Sequence, residues 1–188
     1  MRMEQILRFV EEKQRWIIRK KAEMQKQIQR KKQFLPGERF FFLGEEYVLQ
    51  IDPSITEDLE LRGAFRIRPE CLPLAQNTFE RWYKYEAKVI LKEKTEMSAN
   101  NAGVRVGRVK ITSAEKRWGS CTSEGNINYS WRLVLAPEFV IDYVVAHEVA
   151  HRKQMNHSKK FWDEVEKLCP DYKNAKKWLK ENGNALVI

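Results

Sequence analysis

Residues 146–157 read AHEVAHRKQMNH, a window that holds all three histidines of the 188-residue chain, His147, His151 and His157, with Glu148 directly after the first. On a helix, positions four apart share a face about one turn apart, ~6 Å along the axis, so His147 and His151 can offer two imidazole nitrogens to one ion. Zn²⁺ takes such nitrogens at ~2.0–2.1 Å. Glu148 is turned about 100° around the helix from His147, which makes it a poor third ligand and a natural base toward a water on the metal. Two ligands do not hold a zinc ion; a third is needed, with one position left for water.

His157 would lie ~9 Å farther along a continued helix, out of reach, so the chain must turn between His151 and His157. Asn156, tolerant of the left-handed conformation, and Ser158, able to cap a following helix, supply that stop. The rival third ligands are the acids of the next helix, Asp163, Glu164 and Glu166. The ligand and geometry preferences of zinc favour His157 over them. Zinc in such a site lowers the pKa of water toward ~7 and polarises a carbonyl or phosphoryl oxygen. Glu148 would take the proton of that water and pass it to the leaving group.

A developing oxyanion also needs a donor. Arg117, Asn128, Arg132 and Tyr172 are candidates. Trp118, Trp131 and Trp162 are expected in the core, with base or ring stacking as the alternative role. Cys121 has no evident base partner and is expected to be a small packed residue.

The elements that must position these groups follow from periodicity. Residues 3–32 read as a long helix, unbroken by Gly or Pro until Pro36-Gly37. Two β-rich runs, 40–43 and 47–51, flank Gly44-Glu45-Glu46 as a hairpin. Residues 64–69 form a strand, and 73–97 a helix whose buried face carries Phe79, Trp82, Tyr83, Ala87, Ile90 and Leu91. Residues 98–103 then read as a loop. A strand over 104–111 is interrupted at Gly107. In 127–135, Ile127, Tyr129, Trp131, Leu133 and Leu135 alternate with their neighbours, the clearest strand pattern in the chain. As a peptide-binding edge beside the histidine helix, that strand is the expected one. A helix runs from Pro137 through His151. Another opens near Ser158 with Phe161, Trp162, Val165 and Leu168 on one face, and a third covers 171–182.

The net charge of +9 is uneven. Residues 1–35 hold eleven Lys/Arg against four Asp/Glu, and residues 152–188 nine against five, whereas the stretch between is slightly acidic. Basic ends of this kind attract polyanions, although Lys-rich helix faces are most often simply solvated. Three cysteines without a CxxC pair argue for a reducing compartment. The N-terminal stretch has charges throughout and no apolar signal region, and the apolar runs are too short to span a bilayer. A cytoplasmic protein, monomeric by default and without membrane association, is expected.

HEVAHRKQMNHSKKFWDEVEKLCPDY, preceded by RWGSCTSEGNINYSWRLVLAP, resembles the YgjP-like metallopeptidase family, a relative of the SprT-like zinc proteins. The likeness runs from the RWGSC segment to about Trp178 and more loosely upstream to the first helix. The resemblance implies an α+β, gluzincin-like domain with a small antiparallel or mixed sheet packed on an active-site helix. It implies one Zn²⁺ per chain held by His147, His151 and His157, with Glu148 as catalytic base. Residues 1–188 would then form a single domain, with 1–35 a basic N-terminal helical arm and 104–182 the catalytic zinc core. Members of the family often carry two strands ahead of the first helix, so a smaller sheet or a shortened chain is expected here. The histidine spacing equals that of the metzincins, but Gln154 stands where they have glycine.

The expected function is a zinc-dependent hydrolase of peptide or protein substrates, by zinc-activated water with Glu148 as general base. A metal-dependent nucleotide pyrophosphatase is the first alternative, although no GxxxxGK[ST] phosphate cradle is present. A nucleic-acid-associated zinc protein that uses the basic ends is the second. The SprT-like kinship joins it to the first reading, as a protease working on nucleic-acid-bound proteins.

Overall fold

The computed structural model describes residues 32–188, together with Phe9, Lys13, Gln14 and residues 16–18, which are helical. The remainder of the expected helix over 3–32, and with it most of the basic arm, lies outside the described residues. The chain divides into two compact units, residues 1–33 with 187–188, and Phe34–Leu186. The second unit carries the histidine window. No helix among the described residues is long and apolar enough to cross a membrane.

The second unit is α+β with two small mixed sheets. β1 (Arg39–Phe42) and β2 (Glu45–Ile51) form the expected hairpin, with Phe42 paired to Glu45 across a two-residue turn. The turn is Leu43-Gly44, both at positive φ (52° and 86°), the primed geometry that suits the twist of a hairpin. Glu45 and Glu46, expected in the turn, belong to β2. Gly44 has a second reason to be glycine, because a Cβ there would stand 2.8 Å from the Cα of Pro137. β3 (Leu59–Leu61) pairs antiparallel with β4 (Phe65–Ile67), which runs parallel to β2, giving the order β1-β2-β4-β3.

Helix α1 (Ala75–Ala102) joins the two sheets. Apart from Thr78, its buried residues, Ala75, Phe79, Tyr83, Ala87, Leu91, Thr95 and Ala99, recur every four positions. Four residues overshoot one turn by about 40°, so this stripe winds around the helix and its two ends face different partners. Near the start, Phe79 stacks on Phe40 at 4.4 Å and lies 5.0 Å from Phe65. Farther on, Tyr83 stacks on Trp131 at 5.6 Å and donates its hydroxyl to Phe41 O at 2.6 Å. Near the end, the Thr95 hydroxyl donates to Leu91 O and meets the Tyr129 hydroxyl at 3.1 Å. Each fully buried large side chain of this core contributes roughly 1.5–3 kcal/mol.

The expected loop at 98–103 is the last turn and a half of α1. Ala99 is buried there, and the stop is Gly103, whose left-handed φ of 65° lets its N–H reach back to Ala99 and Asn100.

The second sheet has the order β5-β7-β6, with β5 (Val109–Thr112) parallel and β6 (Gly119–Cys121) antiparallel to β7 (Ile127–Ser130). Two expectations are corrected here. β5 begins five residues late, because Gly107 and Arg108 give their N–H groups to Gly125 O and the Asn126 side chain instead of to a ladder. The alternating run 127–135 is a strand only to Ser130; residues Trp131–Leu135 form a 3₁₀ turn. Alternation fails there because Val134, an outward position in the strand reading, is buried with Leu133 and Leu135. Its carbonyl accepts the Leu43 N–H at 2.8 Å, which ties the turn to the hairpin. Helices α2 (Glu138–Ala150), α3 (Lys159–Leu168) and α4 (Tyr172–Asn182) complete the unit, close to their expected bounds.

Candidate metal centre and active site

α2 starts after Pro137, with Glu138 in its first turn, and is sunk into the core along Val140, Ile141, Val144, Val145, Val149 and Ala150. Its C-terminal turn carries the three groups of the motif. His147 and His151 project together, with ring centroids 5.1 Å apart. After Ala150 the chain leaves the helix through a tight turn in which the N–H groups of Lys153 and Gln154 bond back to Ala150 O. Asn156 is not left-handed, as the expected helix stop required. It acts through its side chain instead, whose Oδ1 accepts from Gln154 Nε2 at 2.7 Å and from Ser158 N at 3.2 Å. Ser158 sits at the N-cap of α3 without a side-chain cap bond. This turn swings His157 back over the helix, 5.0 Å from His147 and 4.9 Å from His151 between ring centroids.

The ligand atoms of the three histidines lie within 4.8 Å of one another. Nε2 of His147 and Nε2 of His157 face each other at 3.1 Å. Two nitrogens bound to one tetrahedral zinc at ~2.0–2.1 Å would stand ~3.3–3.4 Å apart, so this pair is already close to a ligand edge. Nδ1 of His151 lies 3.2 Å from Gln154 O, an acceptor, so that nitrogen carries the proton and Nε2 keeps its lone pair. Nδ1 of His147 is buried and has no partner among the described residues. Burial, then the charges of His151, His157 and Lys176, push the pKa of His147 down to about 3, so this imidazole is neutral. Burial also lowers that of His151. Convergent imidazole nitrogens fit a divalent cation of the borderline-soft kind. The acids weighed as rival ligands are outside the cluster: Glu164 is held by Lys153 and Lys167, and Glu166 pairs with Lys173.

Phe161, fully buried on α3, was expected only as core. Its ring centroid is 4.9, 4.6 and 4.7 Å from those of His147, His151 and His157, so one side chain braces all three imidazoles. Its position four residues past His157 is the one sequence signal that could have pointed to it.

Glu148 is only 5% exposed, and burial raises its pKa to about 8. No hydrogen bond or ion pair to its carboxylate occurs among the described residues. It packs on the backbone of β6, where a Cβ built on Gly119 would come within 2.5 Å of Glu148 Oε1 and 2.8 Å of Cδ. Gly119 was missed as a site residue. The strand-edge expectation is corrected as well: β7 is the middle strand of its sheet, and the edge beside Glu148 is β6.

The other candidates separate. Arg132 is engaged elsewhere, bonding Ser113 O and Glu115 and lying over the Trp131 ring. Asn128 bonds Ser120, and Arg117 lines a cavity of about 230 Å³ with Trp118, Gly119 and Asn128. Tyr172 stacks on Trp162, whose ring lies 5.8 Å from His147, and it stacks on Tyr143 at 6.4 Å, a residue itself 6.0 Å from His147. Trp131 is core, Trp118 packs on Gly183, and Trp162 flanks the histidines. Burial and the neighbouring Glu148 carboxylate push the Cys121 thiol up, which agrees with a packed, unreactive residue. All three cysteines are free thiols.

No curated protein shows significant similarity to the chain. Among solved structures, the crystal structure of the metallopeptidase zymogen of Pyrococcus abyssi abylysin is 23% identical with a TM-score of 0.44, over 48% of this chain and 93% of that one. The family model for the YgjP-like metallopeptidase domain matches residues 1–182, and the chain therefore belongs to the YgjP-like family of metallopeptidases, metal-dependent hydrolases.

Proposed function

We propose that the protein is a zinc metallopeptidase in which His147, His151 and His157 hold one Zn²⁺ per chain and Glu148 is the general base. The observation that supports this reading most is the meeting of three imidazoles, two of them from the end of one helix, beside a buried carboxylate of that helix. When bound, the cation supplies Lewis acidity toward the scissile carbonyl and toward water. Glu148 takes the proton of the attacking water and delivers it to the departing amine. Its buried position on β6 keeps the carboxylate from wandering, and its raised pKa suits a group that must both accept and return a proton near neutrality. Phe161 fixes the three rings and excludes water from one side of the centre. An extended substrate would align along β6, the free edge beside Glu148.

The gluzincin-like character, the basic helical arm over 1–35, the catalytic core over 104–182, contact with nucleic acid through the basic ends, a cytoplasmic location and a monomeric state belong to the same reading. The test is Glu148→Gln in metal-loaded protein. Peptide hydrolysis is expected to fall about 10²–10⁴-fold in kcat with metal content unchanged. A variant with full peptidase activity would remove Glu148 from the mechanism. Hydrolysis of nucleoside triphosphates but of no peptide would move the enzyme to the phosphoanhydride class.

A further inference from the structure

On α4, Lys173, Lys176, Lys177 and Lys180 stand at i, i+3, i+4 and i+7, so one exposed face of the helix is a stripe of ammonium groups. The opposite face, through Tyr172 and Ala175, is buried. The stripe and the rings of Trp162 and Tyr172 line an open cavity of about 470 Å³. Trp162 places that cavity against the histidine cluster, with its ring 5.8 Å from His147 and 6.1 Å from His157. The charge of Lys176 reaches His147, so the lysine face borders the histidine cluster across the Trp162 ring.

The charges on this face are not neutralised in the usual way. On α1, Lys84 and Lys92 each have a glutamate four positions away as partner. On α4, Lys173 has Glu166 at 3.3 Å, but no carboxylate pairs with Lys176, Lys177 or Lys180 among the described residues. Their mutual repulsion favours an anion that arrives from outside.

The rings indicate which anion. Trp162 and Tyr172 stack on each other at 5.4 Å, Lys176 lies over Trp162 at 4.1 Å, and Lys173 lies over Tyr172 at 5.5 Å. With both rings covered, a nucleobase finds no free platform, and single-stranded nucleic acid binds through such platforms. What remains is a row of charges. Eleven residues of helix span ~16 Å, which an extended peptide matches with about five residues.

We propose that the α4 lysine stripe is a subsite for acidic side chains of the substrate, so that the enzyme takes peptide segments rich in Asp and Glu. The inference rests on the peptidase reading and adds the substrate class to it. Ammonium–carboxylate contacts remote from the scissile bond are made equally in the ground and transition states, so they act on KM and leave kcat alone. They also weaken with salt.

The test uses the full-length, zinc-loaded Glu148→Gln protein, so that binding is read without cleavage. Three fluorescein-labelled probes are titrated by anisotropy: a decapeptide with five Asp/Glu residues, its Asn/Gln counterpart, and a single-stranded oligonucleotide. The acidic peptide is expected to bind about tenfold more tightly than the neutral one at low salt. Adding Lys177→Gln/Lys180→Gln, which leaves Lys176 on Trp162, should shrink that preference, and adding Lys176→Gln as well should bring it within about twofold. Equal affinity for the two peptides, or a preference that survives the triple substitution, overturns the proposal. Tighter binding of the oligonucleotide that is lost in the same variants overturns it in favour of nucleic acid. A failure of the wild-type protein to cleave any peptide would count against the peptidase reading alone, because the charge preference is measured separately.

Discussion

Gly119→Ala tests the positioning of Glu148 without touching either a ligand or the carboxylate itself. The added Cβ would lie 2.5 Å from Glu148 Oε1 and 2.7 Å from Cγ. Ordinary contact begins near 3.4 Å, so the carboxylate is about 0.9 Å too close and must move by that order, since the obstacle is backbone-borne and rigid. A displacement of ~1 Å in a catalytic group costs on the order of 10²-fold in rate, and overpacking costs about 1–3 kcal/mol in stability. The control is Gly107→Ala, whose Cβ meets Asn126 Oδ1 at 2.7 Å, in the same half of the molecule but on no site residue. Both variants are expected to melt at lower temperature, and only Gly119→Ala to lose kcat/KM on a quenched peptide by about 10²-fold at unchanged metal content. If Gly119→Ala folds, holds its metal and works within threefold of wild type, the clamp of β6 on Glu148 is not functional. If Gly107→Ala loses as much activity, the loss reports stability only.

Phe161→Ala removes a fully buried ring that touches all three histidines, and should cost about 3–5 kcal/mol in chemical denaturation. Metal affinity, read by chelator competition, should drop about 10–100-fold; Val165→Ala, buried on the same helix, should lose stability and keep its affinity. Tyr83→Phe deletes the hydroxyl that donates to Phe41 O and leaves that carbonyl without its donor, so a loss of about 1–3 kcal/mol with unchanged activity is expected. Wild-type stability in that variant would mean that water replaces the hydroxyl.

The histidine helix was readable because its chemistry and its position coincide: two ligands four apart and a base between them, on a segment apolar enough to be buried almost throughout. The need for a turn before His157 followed from helix rise alone. How the turn is made did not, because a side-chain acceptor at Asn156 and a left-handed backbone serve the same purpose and look alike in sequence. β3 and β6 are three residues each, too short to show a period, and so nothing local singles out Gly119. Its close approach to Glu148 is a long-range fact with no local trace. The alternation in 127–135 misled for a related reason: a run buried on both sides keeps its apolar residues whether it continues as strand or tightens to 3₁₀. The α4 lysines read as an ordinary solvated face, and only the fold brings them beside the histidines.

The central claim is a divalent cation held by three histidines, and elemental analysis of protein prepared in zinc-replete medium tests it most directly. The wild-type chain is expected to carry close to one equivalent of zinc, and His157→Ala far less, with its helical content intact. Metal-free wild-type protein, or full occupancy without the His157 imidazole, would contradict the account.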